Sequence, residues 1–110
     1  MAPEPTSLTS MDQQVMLAVS RLGAKAYGIS IQDKIEELTG VAHSTGSIYA
    51  VLERLQKKGF LASREGEATA ERGGRKKMYF HITGTGATAL QRSLSAIDAL
   101  RGGIAGEAWA

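Results

Sequence analysis

Apolar residues recur at helical spacing in four stretches of this chain, and two short strand-like runs lie between the third and the fourth. Leu8, Met11, Val15, Ala18 and Leu22 step alternately by three and four residues, and Met16 and Val19 widen the stripe. This predicts a first helix that packs lengthwise on another, with Ser7 or Ser10 as its N-cap and Gly23 as its stop. A second helix over residues 27–38 puts Ile31, Ile35 and Leu38 on one face and Asp33, Lys34, Glu36 and Glu37 on others, ending at Thr39 and Gly40. Val41, Ala42 and His43 turn into a third helix over residues 44–58, where Ile48, Val51, Leu52 and Leu55 can dock on a core and Gly59 suits the C-terminal cap. Residues 60–64 and 78–82 read as antiparallel strands flanking a charged, glycine-bearing loop. Thr83 can cap a last helix in which Ala87, Leu90, Leu94 and Ile97 form a second apolar seam, and the two seams meet within or between subunits.

The other face of the third helix carries small, hydrogen-bonding side chains. Ser44, Thr45, Ser47, Tyr49 and Arg54 project away from the docking residues, and small groups at a helix N-terminus permit close approach to a DNA major groove. The segment Arg72, Gly73, Gly74, Arg75, Lys76, Lys77 lies between the two strands, so it reads as a hairpin wing whose cations can reach phosphates. Together these predict an α+β, mainly α fold: a winged helix-turn-helix with an added C-terminal helix. The expected organisation is a disordered lead-in over 1–7, the DNA-binding domain over 8–83, a dimerisation helix over 84–101 and a flexible tail over 102–110.

Charge distribution sharpens that picture more than the net charge of +2 does. Residues 54–80 hold eight basic side chains against three acids, which leaves the remainder of the chain net acidic. One face for phosphate explains the asymmetry; a solvated charge run explains it too. The 110 residues suit one domain, and the absence of cysteine excludes disulfides and thiolate metal sites and fits a reducing compartment. No apolar run approaches the roughly 20 residues that span a bilayer, and Glu4 with Pro3 and Pro5 does not suit an export signal, so a cytoplasmic location is expected.

Several linked motifs, in order across residues 11–90, carry a family resemblance. They are Tyr27, Gly28; Gly46, Ser47, Ile48, Tyr49; Leu52, Glu53, Arg54, Leu55; Lys57, Lys58, Gly59; Gly74, Arg75; Tyr79, Phe80; and Ile82, Thr83 before Gly86. The chain resembles the PadR family of bacterial transcriptional regulators, in the compact branch with a single C-terminal helix. The resemblance implies a homodimeric regulator, usually a repressor, that binds double-stranded DNA at a pseudo-palindromic operator. It maps the DNA-reading helix onto residues 44–58, with Ser44, Thr45, Ser47 and Tyr49 nearest the duplex and Arg72, Arg75, Lys76 and Lys77 on the backbone. It implies a dimer interface of first and last helices, here Leu8, Met11, Val15, Leu90, Leu94 and Ile97. A small apolar or aromatic effector would then sit near Met11, Val15 and Trp109. Two positions depart from the pattern: Lys76 stands where a proline is common after the Gly-Arg pair, and Phe80 where a second tyrosine is common.

Each motif has a plainer reading beside the functional one. Tyr49 packs or contacts DNA; Lys25 and Tyr27 hold a phosphate or simply pack and solvate; Met11 and Met16 line an interface or fill a core. Gly84, Thr85, Gly86 and Ala87 nearly form a dinucleotide fingerprint, but too little chain follows to supply the second strand and its acid. His43 and His81 have no paired spacing and no acid partner, so neither a catalytic residue nor a metal or cofactor is expected. The competing function class is a winged-helix protein-interaction module that spends its basic wing on an acidic partner.

Overall fold

The computed structural model describes residues 7–68 and 76–102, the backbone alone at Glu67 and Ala68. Its element order is α1 (Ser10–Leu22), a short 3₁₀ turn (Gly23–Lys25), α2 (Gly28–Thr39), α3 (Thr45–Lys57), β1 (Leu61–Ala68), β2 (Lys76–Ile82) and α4 (Gly84–Arg101). The fold is the mainly helical winged helix-turn-helix that the patterning predicts, with the extra C-terminal helix in place. Thr9, rather than Ser7 or Ser10, caps α1: its hydroxyl accepts from the Asp12 N–H while the Asp12 carboxylate accepts from the Thr9 N–H, a reciprocal capping box. Ser44 caps α3 through the Ser47 N–H, and Thr83 caps α4 through the Gly86 N–H. Gly40 and Gly59 end α2 and α3 with φ of 76° and 79°, a left-handed geometry that side chains disfavour.

The three helices of the helix-turn-helix close over one apolar core. Val15, Met16 and Val19 from α1, Ile31 and Ile35 from α2, and Ile48, Val51, Leu52 and Leu55 from α3 are all buried there. Burying each such side chain contributes on the order of 1.5–3 kcal/mol. Leu38, expected on the docking face of α2, is 55% exposed instead.

The two strands form an antiparallel pair in register from Leu61 opposite Ile82 to Glu65 opposite Met78, then shift so that Ala68 faces Lys76. One extra residue on β1 therefore makes a bulge, and the hairpin arm extends beyond the shorter strands expected from sequence. Its root is fixed to the helices: the Phe80 N–H donates to the Ala26 carbonyl at 2.8 Å, and Tyr27 bridges to Tyr79. Helix α4 leaves the second strand at once. Gly86, Ala89 and Leu90 pack against the core, after which residues 95–101 are exposed. A Cβ on Gly86 would overlap the backbone of Phe60, so the close approach of α4 to the start of the hairpin requires glycine there.

Candidate nucleic-acid interface

The N-terminal half of α3 presents a continuous exposed strip of Ser44, Thr45, Gly46, Ser47, Tyr49 and Ala50, with buried Ile48 directly behind it. The hydroxyls in this strip are already ordered. Ser44 accepts from the Ser47 N–H at 3.1 Å and donates its own proton to Ser47 Oγ at 2.8 Å, which leaves the Ser47 proton free to point outward. Gln32 of α2 accepts from the Thr45 hydroxyl at 3.0 Å and donates to the His43 carbonyl at 2.7 Å, which locks the turn between α2 and α3. Gly46 has no protein atom within 4 Å of where a Cβ would stand, so nothing inside the molecule demands glycine at that place. Tyr49 is 40% exposed with its hydroxyl end over Gly28, packed along one edge and open along the other.

The hairpin supplies cations beside this strip. Lys77 lies 4.3 Å from the centroid of the Tyr27 ring, and Arg64 lies 4.8 Å from that of Tyr79. The two rings meet edge-on at 5.7 Å, so four side chains from β1, β2 and the start of α2 stack into one ladder. Tyr27 thus packs against the hairpin, the plainer of its two sequence readings, while Lys77 keeps partial access to solvent. Lys76 pairs across the strands with Glu65 at 3.2 Å. Arg72 and Arg75, expected at the tip of the wing, lie outside the described residues, as does Trp109, expected near an effector.

Two sequence expectations need correction. Arg54 does not stand free beside Ser47 and Tyr49: its guanidinium pairs with Oδ1 of Asp12, a carboxylate wholly inaccessible to solvent, while the arginine side chain itself stays 42% exposed. Burial works to raise the Asp12 pKa, but hydrogen bonds from the Thr9 backbone and Arg54, with the charge of Arg54, hold it below the ordinary 3.8. Val15 is fully buried inside the protomer, which removes it from both the dimer surface and an effector cavity. A seam of three and four residue steps does not reveal which side of the helix is inside, and here the core takes it. Leu90 is also nearly buried within the protomer, whereas Leu8, Met11 and Leu94 are half-buried and Ile97 is 46% exposed.

Further apolar surface lies away from α3. A groove of about 390 Å³ between α1 and α2 is lined by Leu17, Ala18, Ile35 and Leu38, with Arg21 and Lys34 at its rim. Leu17 and Leu38 are exposed there, and Leu100 near the end of α4 is 86% exposed. No group of three or more potential metal ligands occurs among the described residues, and no described helix is long and apolar enough to cross a membrane.

A helix-turn-helix with an exposed polar reading strip, joined rigidly to a cation-bearing hairpin, defines the class of winged-helix DNA-binding regulators. Residues 16–92 match the family model for the transcriptional regulator PadR-like family, and the chain belongs to that family. Among solved structures it is similar to a PadR family transcriptional regulator from Eggerthella lenta, at 23% identity over 86% of this chain and 80% of that one, with a TM-score of 0.68. It is similar to a PadR-like transcriptional regulator from Bacillus cereus, at 24% identity over 88% and 93% of the two chains, with a TM-score of 0.66. A third is Bacillus subtilis PadR in complex with operator DNA, at 19% identity over 78% of this chain and 48% of that one, with a TM-score of 0.64. At these identities the structural likeness speaks for the fold. No curated protein sequence gives a significant match.

Proposed function

We propose that this protein is a sequence-specific transcriptional repressor that binds a pseudo-palindromic operator as a homodimer. The observation that carries this reading is the exposed strip of Ser44, Thr45, Gly46, Ser47 and Tyr49 at the N-terminal end of α3, ordered before any partner arrives. Small hydroxyls there can approach base edges, each good contact contributing about 1–3 kcal/mol of discrimination. Lys77 and Lys76, with Arg72 and Arg75, supply the phosphate contacts that orient the helix but read no sequence. The complex of Bacillus subtilis PadR with operator DNA supports the same use of the fold.

Dimerisation through α1 and α4 accounts for apolar surface that a monomer would leave in water. Ile97 and Leu100 on α4, and Leu17 and Leu38 beside the α1–α2 groove, are the exposed apolar residues available for it. Two-fold pairing would set two recognition helices about 34 Å apart, one turn of duplex. A small apolar effector bound at that interface, near Met11, would release DNA by changing the separation of the helices. Work on DNA in the cytoplasm follows from this reading.

The test is a titration of the purified protein against its own upstream DNA and a scrambled duplex across a range of salt. Preference for the upstream DNA, with affinity falling steeply as salt rises, supports the regulator. Equal, weak and salt-insensitive binding of both overturns it in favour of a protein-interaction module.

A further inference from the structure

Asp12 is the one buried charged residue in the described core, and its two carboxylate oxygens serve two different helices. Oδ2 accepts from the Thr9 N–H at 3.0 Å and closes the capping box of α1, while Oδ1 holds the Arg54 guanidinium of α3. We infer that Asp12 is a positioning residue for operator recognition: through Arg54 it latches the recognition helix to the start of α1 and so fixes the angle at which α3 meets DNA. The inference rests on the DNA-binding reading above.

The physical argument starts from what the rest of the α3 contact lacks. Ile48, Val51, Leu52 and Leu55 hold α3 by apolar packing, which resists withdrawal but has little directional preference for small tilts. A buried carboxylate is different, because separating it from its cation leaves a charge uncompensated away from water. Settings of α3 that keep Arg54 on Asp12 are therefore favoured over those that part the pair. Arg54 lies seven residues beyond Ser47, about 10 Å along the axis at 1.5 Å per residue. A tilt of about 10° pivoting at the reading strip would carry Arg54 about 2 Å off Asp12, enough to part their hydrogen bond, so the latch opposes a change in the angle at which the strip meets base edges. Because the same carboxylate completes the capping box of α1, the setting of α3 is referred to α1, the helix proposed to meet the other subunit.

The experiment compares wild type, Asp12→Asn, Arg54→Met and the double variant. Asparagine keeps an acceptor for the Thr9 N–H and nearly the same volume but removes the charge that holds Arg54. DNA binding is read on a duplex enriched by the wild-type protein from a random pool and on a scrambled duplex. Inter-helix geometry is read without DNA as the distance distribution between spin labels at Ser20→Cys in α1 and Glu53→Cys in α3, diluted with unlabelled protein. The chain has no natural cysteine to interfere. We expect Asp12→Asn to lower affinity for the enriched duplex at least tenfold, to leave scrambled binding within twofold, and to broaden the distance distribution. Arg54→Met should do the same, and the double variant should lose no more than either single. If Arg54→Met weakens both duplexes and reduces the salt slope while Asp12→Asn leaves the enriched duplex within twofold, Arg54 is a phosphate contact and the latch is overturned. An unchanged distance distribution overturns it as well. If wild type enriches no duplex, the regulator reading itself fails, and the positioning role fails with it whatever the distances show.

Discussion

Replacing Gly86 by alanine reverses the usual sign of a glycine to alanine change in a helix. Helix propensity alone favours alanine by about 1 kcal/mol. Against this, the new Cβ would overlap the carbonyl group of Phe60, a backbone group that cannot turn aside as a long side chain would. Relief needs α4 to lift from the start of the hairpin, at an overpacking cost of about 2 kcal/mol. Lifting also strains two hydrogen bonds, from the Thr83 N–H to the Phe60 carbonyl at 3.1 Å and from the Thr83 hydroxyl to the Gly59 carbonyl at 2.6 Å. Together these contribute about 2 kcal/mol, so the net loss is about 3 kcal/mol and the fall in Tm about 10–15 °C for a chain of this size. Gly84, two residues earlier, has open space where its Cβ would stand, and alanine there should raise stability by about 0.4–1 kcal/mol. Thermal unfolding of the two variants at one fixed protomer concentration makes the comparison. A Gly86→Ala protein that melts at or above the wild-type temperature would refute the close approach.

Three further outcomes are expected. Gly46→Ala should leave Tm unchanged or slightly higher, since its Cβ meets nothing in the protein, yet weaken operator binding measured by fluorescence anisotropy about tenfold; full-strength binding would mean that DNA does not come close there. Lys77→Ala should weaken enriched and scrambled duplexes alike and lower the salt slope by about one, and an unaltered slope would take Lys77 off the phosphate backbone. Because the Asp12 pKa is depressed on folding, its carboxylate contributes stability above its ordinary 3.8 that is lost as pH falls through the lower folded value. In Arg54→Met two of the lowering influences vanish while burial persists, so the acid unfolding midpoint followed by circular dichroism should move to higher pH; coincident midpoints would show that Arg54 does not sustain the charge on Asp12.

The helices were legible because their signals are local. Periodic apolar residues mark α1 to α4, and Gly40, Gly59 and Thr83 stand where their backbone chemistry is required. The cap of α1 shows the limit of that reasoning: three hydroxyl residues stand near the start, and only Asp12, three positions after Thr9, distinguishes the one that forms a capping box. The full length of the hairpin is not legible, because Glu65, Gly66 and Glu67 read as loop, whereas pairing continues past the bulge to Ala68. The exposed strip of α3 is legible from its small hydroxyls, but Arg54 reads with them because its partner lies 42 residues away in sequence. A signal was present all the same. Asp12 falls on the apolar stripe of α1, three and four residues before Val15 and Met16, and an acid in that place implies a buried cation. Likewise, the ladder of Lys77, Tyr27, Tyr79 and Arg64 joins segments with no shared local pattern.

The root of the hairpin limits how such a molecule can be switched. With Phe80 bonded to Ala26, Tyr27 against Tyr79 and Gln32 bonded across the turn before α3, the α3 strip and the described part of the hairpin are tied to one helical core. A ligand therefore gains little by acting within one protomer. In the proposed homodimer its leverage would lie in the pairing of the two subunits, where a small rotation at α1 and α4 would be passed to both reading strips, and affinity for the operator would become a measure of the angle between subunits.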